Sequence, residues 1–197
     1  MIDSHLSGAY QRLLVLPVAR MCRLSANMIT ILGLLSGFVS ALCIALGWPF
    51  WAACLLLLSG YLDSLDGVVA RYYAQSSNQG CVLDIFCDRM VECAVMLGLL
   101  LVDPGARALS AFLMLGASYL CITSFLVTAI FSKQAHYKSF HYSPGLMERC
   151  EAFVFFLLMI LWPAGFTGLA FAYSGLVLLT ALMRVGQFIY FHRLSNI

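Results

Sequence analysis

The sequence predicts an all-α polytopic membrane bundle: six transmembrane helices preceded by an N-terminal interfacial helix. Three observations carry this. The chain is 62% hydrophobic and 10% charged, with a mean hydropathy of +0.94, against about 45–50% apolar and 25% charged in a soluble domain. Apolar stretches of spanning length, roughly 17–25 residues, recur from one end to the other. Turn formers or polar residues separate each stretch from the next.

Residues 1–24 mix Leu6, Leu13, Leu14, Leu16 and Val18 with Arg12, Arg20 and Arg23, which suits a helix lying in the membrane interface and excludes a cleavable signal peptide. Six spans then follow over 26–190: Ala26 to Leu46, Trp51 to Tyr73, Cys81 to Val102, Arg107 to Ser132, Met147 to Trp162 and Gly165 to Tyr190. The breaks fall at Gly47-Trp48-Pro49, Gln75 to Gly80, Asp103-Pro104-Gly105, Lys133 to Gly145 and Pro163-Ala164-Gly165. The fifth stretch is short and opens on Glu148, Arg149 and Glu151. No repeat or composition shift divides the chain, so residues 1–197 read as a single domain.

Charge placement orients the bundle. With the N-terminus inside, the early arginines, Arg71, Lys133, Lys138, Arg149 and Arg193 fall near the cytoplasmic face, and Arg107 alone lies near the other, the positive-inside pattern. Trp48, Trp51 and Trp162 then form an aromatic belt at the far interface. The net charge of +2 is too small for a nucleic-acid surface. The eight cysteines show no CxxC pair or zinc spacing and read as small apolar packers.

Against this background the second and third helices are anomalous. The second carries Asp63 and Asp66, followed by Gly67, Ala70 and Arg71; the third carries Asp84 and Asp88 just after Gly80. Spacings of three and four put each pair on one helix face. A short connection makes the two helices antiparallel neighbours, so both pairs reach similar depth near the cytoplasmic face. Four carboxylates in a membrane segment are costly and repel one another unless a cation joins them. Oxygen-only ligands select Mg²⁺ or Mn²⁺, and a cluster that serves two ions is a device for clamping phosphate oxygens. Gly67 and Ala70 remove bulk from the aspartate face and would admit a diphosphate or nucleotide close to the backbone. Two plainer readings stand beside this one: ion pairing to Arg71, Arg89 or a neighbouring helix, and an ion pathway, which the clustering at one face disfavours.

The run Asp63-x2-Asp66-Gly67-x2-Ala70-Arg71-x8-Gly80-x3-Asp84-x3-Asp88 resembles the full signature of the CDP-alcohol phosphotransferase family, and the six-helix plan is similar to that family over nearly the whole chain. The resemblance implies transfer of a phosphatidyl-type group from a CDP-linked lipid such as CDP-diacylglycerol to an alcohol hydroxyl, with release of CMP. It implies that Asp63, Asp66, Asp84 and Asp88 bind the metals and that Asp88 is also the base for the acceptor hydroxyl. It further implies that Gly67, Ala70, Arg71, Ser77 and Gly80 meet the CDP part of the donor. Asn27 and Thr30 resemble the family's Pro-Asn-x-x-Thr entry to the first helix, which borders the nucleotide; Ala26 stands where proline is usual. A homodimer in a bacterial inner membrane, its site facing the cytoplasm, is part of the same expectation.

Lys133, His136, Lys138 and His141 lie in the loop after the fourth helix, and as topogenic charges the lysines need no further role. Arg149 and Arg184, at membrane depth, are expected to face the aspartate cavity; with Lys133 they resemble the acceptor pocket of relatives that use a phosphorylated acceptor. The form around Gly33 is more like inositol-phosphate-type than glycerophosphate-type members. Glu92 extends the Asp84–Asp88 face by one turn, and an ion pair with Arg89 or a contact to metal-bound water would both explain it. The rival readings are an intramembrane prenyltransferase, which needs two distant acidic motifs, and a divalent-metal transporter.

Overall fold

The computed structural model describes residues 14–22, 24–134, 147 and 149–195, with the side chains of 132–134 and 191–195 outside the description. The described residues form helices in the order α1 (Leu16–Met21), α2 (Ala26–Ala45), α3 (Pro49–Tyr72), α4 (Asn78–Leu101), α5 (Pro104–Gln134), α6 (Arg149–Leu161), a short 3₁₀ turn (Pro163–Gly165) and α7 (Phe166–Ser195). No strand occurs among them.

The order of elements matches the sequence expectation, while boundaries and spans differ in instructive ways. Pro104 and Gly105 belong to the first turn of α5 and not to a loop. The Asp103 side chain accepts from the Ala106 amide at 3.1 Å, and proline at a helix start has no N–H that needs a partner. Among the described residues, four helical stretches are long and apolar enough to cross a bilayer: Ala26–Ala45, Pro49–Tyr72, Pro104–Phe131 and Pro163–Tyr190. α4 has the length but carries Asp84, Asp88, Arg89 and Glu92. α6 has 13 residues, about 20 Å of helix, against a hydrocarbon core of about 30 Å.

Helix α1 splits its faces: Val15 and Ala19 are buried against Leu65, Val68 and Val69, while Leu14, Val18 and Met21 are exposed, the division an interfacial helix requires. Tyr61 and Tyr73 hold it from α3 and its end by hydroxyl bonds to the carbonyls of Leu14 (3.3 Å) and Arg20 (3.2 Å). The rest of the proposed interfacial segment, residues 1–13 and 23, lies outside the described residues.

Small and hydroxylated side chains set the packing that positions the site. A turn at Gly47, where φ is +75°, and Pro49 at the first position of α3 fold α3 back along α2. Three serines then bond across that seam: Ser36 Oγ to the Leu55 carbonyl (2.8 Å), Ser40 Oγ to that of Ala52 (2.7 Å) and Ser59 Oγ to that of Gly33 (2.8 Å). On the other flank, a Cβ at Gly98 would come within 2.5 Å of the Ala41 carbonyl oxygen, and one at Gly37 within 2.6 Å of Val91. Backbones approach this closely only through small residues. Both aspartate helices are thereby seated on α2 as their common partner. The main apolar core lies nearer the opposite end and includes Leu56, Val95, Leu99, Met114, Phe156, Met159 and Tyr173.

At that opposite end Trp48, Trp51 and Trp162 are exposed. Arg107, placed from sequence at the same face, turns inward: it is 7% exposed and donates to the carbonyls of Leu99 (2.9 Å) and Pro163 (3.2 Å). Its guanidinium also stacks 4.3 Å from the Phe166 ring centre.

Candidate active site

Asp63 and Asp66 stand in the second half of α3, and Asp84 and Asp88 in the first half of α4. Carboxylate oxygens of Asp63, Asp66 and Asp84 all lie within 4.8 Å of one another. Two of these groups have defined surroundings. Asp66 is 5% exposed and its Oδ2 accepts from the Thr30 hydroxyl of α2 at 2.6 Å. Asp84 Oδ1 is buried and accepts no hydrogen bond from the described residues. A buried carboxylate oxygen left unpaired beside two other carboxylates is costly, and a hard divalent cation satisfies all three at once. The residues present therefore fit the metal site expected from the sequence.

Asp88 stands slightly apart from this triad. Arg149, the first residue of α6, joins the two groups: its Nη2 is 2.6 Å from Asp63 Oδ1 and also pairs with Asp88 Oδ1. Together with Thr30, Ser59 and Phe153, these side chains enclose a hollow of about 20 Å³, room for about one water-sized occupant.

On the other side of Asp66 and Asp84 a wider groove of about 170 Å³ opens, and all seven residues expected to meet the CDP group line it: Asn27, Thr30, Gly67, Ala70, Arg71, Ser77 and Gly80. The local folding explains why. Ser77 caps α4, its Oγ accepting from the Gly80 amide at 3.0 Å, the arrangement that satisfies a free helix-start donor. Ser25 caps α2 by accepting from the Met28 amide at 3.4 Å, so the helix begins at Ala26 although proline is absent there. The Arg71 guanidinium lies over Gly67, 3.4 Å from where a Cβ would stand. A side chain at position 67 would displace it.

The remaining sequence expectations divide. Arg149 reaches the aspartates directly. The described contacts of Arg184 are with α5: its Nη1 donates to the Cys121 carbonyl at 3.3 Å, and its guanidinium lies 5.3 Å from the Phe125 ring centre. Glu92 pairs with Arg89 and accepts from the Tyr173 hydroxyl at 2.8 Å, which is in turn 2.9 Å from Ser118 Oγ. The side chain of Lys133 and residues His136, Lys138 and His141 lie outside the described residues. Cys81 and Cys87 are free thiols.

Sequence reasoning missed three contributors: the hydroxyl of Thr30 as the partner of Asp66, Tyr173 as the partner of Glu92, and Gln75, whose Oε1 accepts from the Ala26 amide at 3.1 Å. Only Thr30 carried a signal, because a threonine one turn into an apolar helix needs a polar partner. Gln75 read as one of several loop-forming polar residues.

A family model described as CDP-alcohol phosphatidyltransferase matches residues 23–186. The inner membrane protein YnjF of Escherichia coli is 30% identical over 194 residues, covering 94% of each chain. A phosphatidylinositol phosphate synthase of Corynebacterium glutamicum is 31% identical over 180 residues, 87% of this chain and 78% of that protein. Among solved structures, the phosphatidylinositol phosphate synthase of Mycobacterium tuberculosis with CDP-DAG bound shares the fold at a TM-score of 0.73 and 23% identity, covering 89% of this chain and 93% of that one. The same enzyme in complex with manganese and citrate gives a TM-score of 0.74 over 87% of each chain, also at 23% identity. With its carboxylate cluster, its groove and a family match over most of its length, this chain belongs to the CDP-alcohol phosphatidyltransferase family and is a membrane-embedded transferase of phospholipid biosynthesis.

Proposed function

We propose that the protein transfers a phosphatidyl group from CDP-diacylglycerol to a phosphorylated alcohol of the inositol phosphate or glycerol phosphate type, with release of CMP. The observation that carries this reading is the carboxylate triad, with an Asp84 oxygen unpaired among the described residues, two of whose members, Asp66 and Asp84, line the groove together with the signature residues. Asp63, Asp66, Asp84 and Asp88 would hold two Mg²⁺ or Mn²⁺ ions, which when bound neutralise the charge that develops on the diphosphate as CMP departs.

The chain's own residues do the rest. Asn27, Gly67, Ala70, Arg71, Ser77 and Gly80 receive the nucleotide: the small residues let it reach the backbone, and the Arg71 guanidinium offers donors to phosphate oxygens. Thr30 fixes the orientation of Asp66. The Asp88 carboxylate takes the proton of the acceptor hydroxyl, and that oxygen attacks the lipid-side phosphorus in line, breaking the bond to CMP. Arg149 touches the base and carries the positive charge an acceptor phosphate needs, with Lys133 and Arg184 as further members of the acceptor region. No protein nucleophile is required. The site faces the cytoplasm from a bacterial inner membrane, and the functional unit is a homodimer.

Kinship with phosphatidylinositol phosphate synthases favours inositol phosphate as acceptor. A panel of alcohols, each offered with CDP-diacylglycerol and Mn²⁺ and scored by CMP release, tests the proposal. Inositol phosphate or glycerol phosphate should stimulate release at least ten-fold over inositol, glycerol and serine. Equal release with every acceptor, or none with any, would overturn it.

A further inference from the structure

The groove is lined by the first turn of α2, the end of α3, the loop that follows it and the start of α4; the first turn of α2 and that loop form two facing walls from distant parts of the chain. That loop is closely determined. Ala74 is the one non-glycine among the described residues with positive φ, at +53°, a conformation L-residues avoid and helix ends usually assign to glycine. The turn at Ala74 lets the Gln75 amide bond back to the Ala70 carbonyl at 2.8 Å and aims the Gln75 side chain across the groove mouth. There its Oε1 accepts from the Ala26 amide at 3.1 Å. That amide is one of the helix-start donors with no partner inside α2. A second crossing lies alongside, where a Cβ on Gly80 would stand 3.2 Å from Asn27 Oδ1.

We propose that Gln75 is a positioning residue for the donor: it latches the loop between α3 and α4 onto the first turn of α2 and so sets the width of the nucleotide groove. Backbone strain is retained at Ala74 because the loop must turn there for the latch to form. Gln75 acts through the two walls and not by contact with reacting atoms. This inference rests on the reading of the groove as the donor site.

The bond can be broken from either side. Gln75→Ala removes the acceptor. Ala26→Pro removes the donor without disturbing the helix, since proline suits a first helical position and Ser25, at φ −68° and ψ 151°, already has the extended backbone a following proline demands. Each single variant should raise the KM for CDP-diacylglycerol roughly three- to ten-fold, as expected for one hydrogen bond, with kcat and the acceptor KM changed by less than about two-fold. The double variant should be no worse than either single one, because both remove the same bond.

Hydrogen–deuterium exchange without substrate gives an independent reading. In Gln75→Ala, amide exchange across 24–30 and 73–80 should quicken, while that of α5 and α7 stays as in the unaltered protein. Additive losses in the double variant, an unchanged donor KM in a folded Gln75→Ala enzyme, or unchanged exchange at both walls would each overturn the latch. Absence of CMP release by the unaltered protein would overturn the donor reading alone, and the exchange comparison would still decide whether the latch exists.

Discussion

Two arginines sit at the two ends of this bundle, and their surroundings separate structure from function. Arg107, at the tryptophan end, has its charge spread over two backbone carbonyls and an aromatic face. Arg149, at the aspartate end, pairs with Asp63 and Asp88, yet Asp84 Oδ1 within the same cluster has no hydrogen bond from the described residues. The one guanidinium described as pairing with these carboxylates cannot balance four of them. A satisfied buried cation is a staple, whereas an unbalanced cluster is built to receive something.

Substitutions sharpen this contrast. The largest effect is expected at Asp88: Asp88→Asn keeps the size but cannot take a proton, so kcat should fall by about 10²–10⁴-fold while binding of CDP-diacylglycerol survives. Turnover near that of the unaltered enzyme would remove Asp88 from the chemistry. At Arg149, truncation to alanine should raise the acceptor KM about ten-fold, corresponding to one charge-assisted bond, with the donor KM nearly unchanged. Lysine should restore little, because it lacks the planar fork. Loss of donor affinity in its place would make Arg149 a partner of the metal ligands alone. Arg107→Leu should behave in the opposite way. Two carbonyl bonds to a charged group are lost, about 3–6 kcal/mol together, lowering the thermal midpoint in detergent by roughly 10–20 °C while both KM values hold. A change in acceptor KM without loss of stability would break the comparison.

The sequence announces whatever is periodic or costly. Helix order follows from apolar runs and their punctuation, and the convergence of Asp63, Asp66 and Asp84 follows from spacings of three and four on adjacent antiparallel helices. What it does not announce are pairings between residues far apart in the chain. Nothing local to Gln75 points to Ala26, 49 residues away, and the expectation that Arg149 faces the aspartate cavity does not single out Asp88, 61 residues away, as its partner. The described contacts of Arg184, a backbone carbonyl and an aromatic ring on α5, are likewise not legible in the residues around it. Pro104 marked a break where it in fact starts a helix, because proline is consistent with both.

An aspartate cluster that holds a divalent metal should bind Mn²⁺, and electron paramagnetic resonance on purified protein tests this without any need for turnover. The unaltered protein should take up Mn²⁺ with loss of the free-ion signal, and excess Mg²⁺ should displace it and restore that signal. Asp84→Asn, with unchanged helix content, should weaken uptake at least ten-fold by removing the anionic ligand whose Oδ1 has no hydrogen bond from the described residues. Equal Mn²⁺ uptake by the unaltered protein and a folded Asp84→Asn variant would contradict the account.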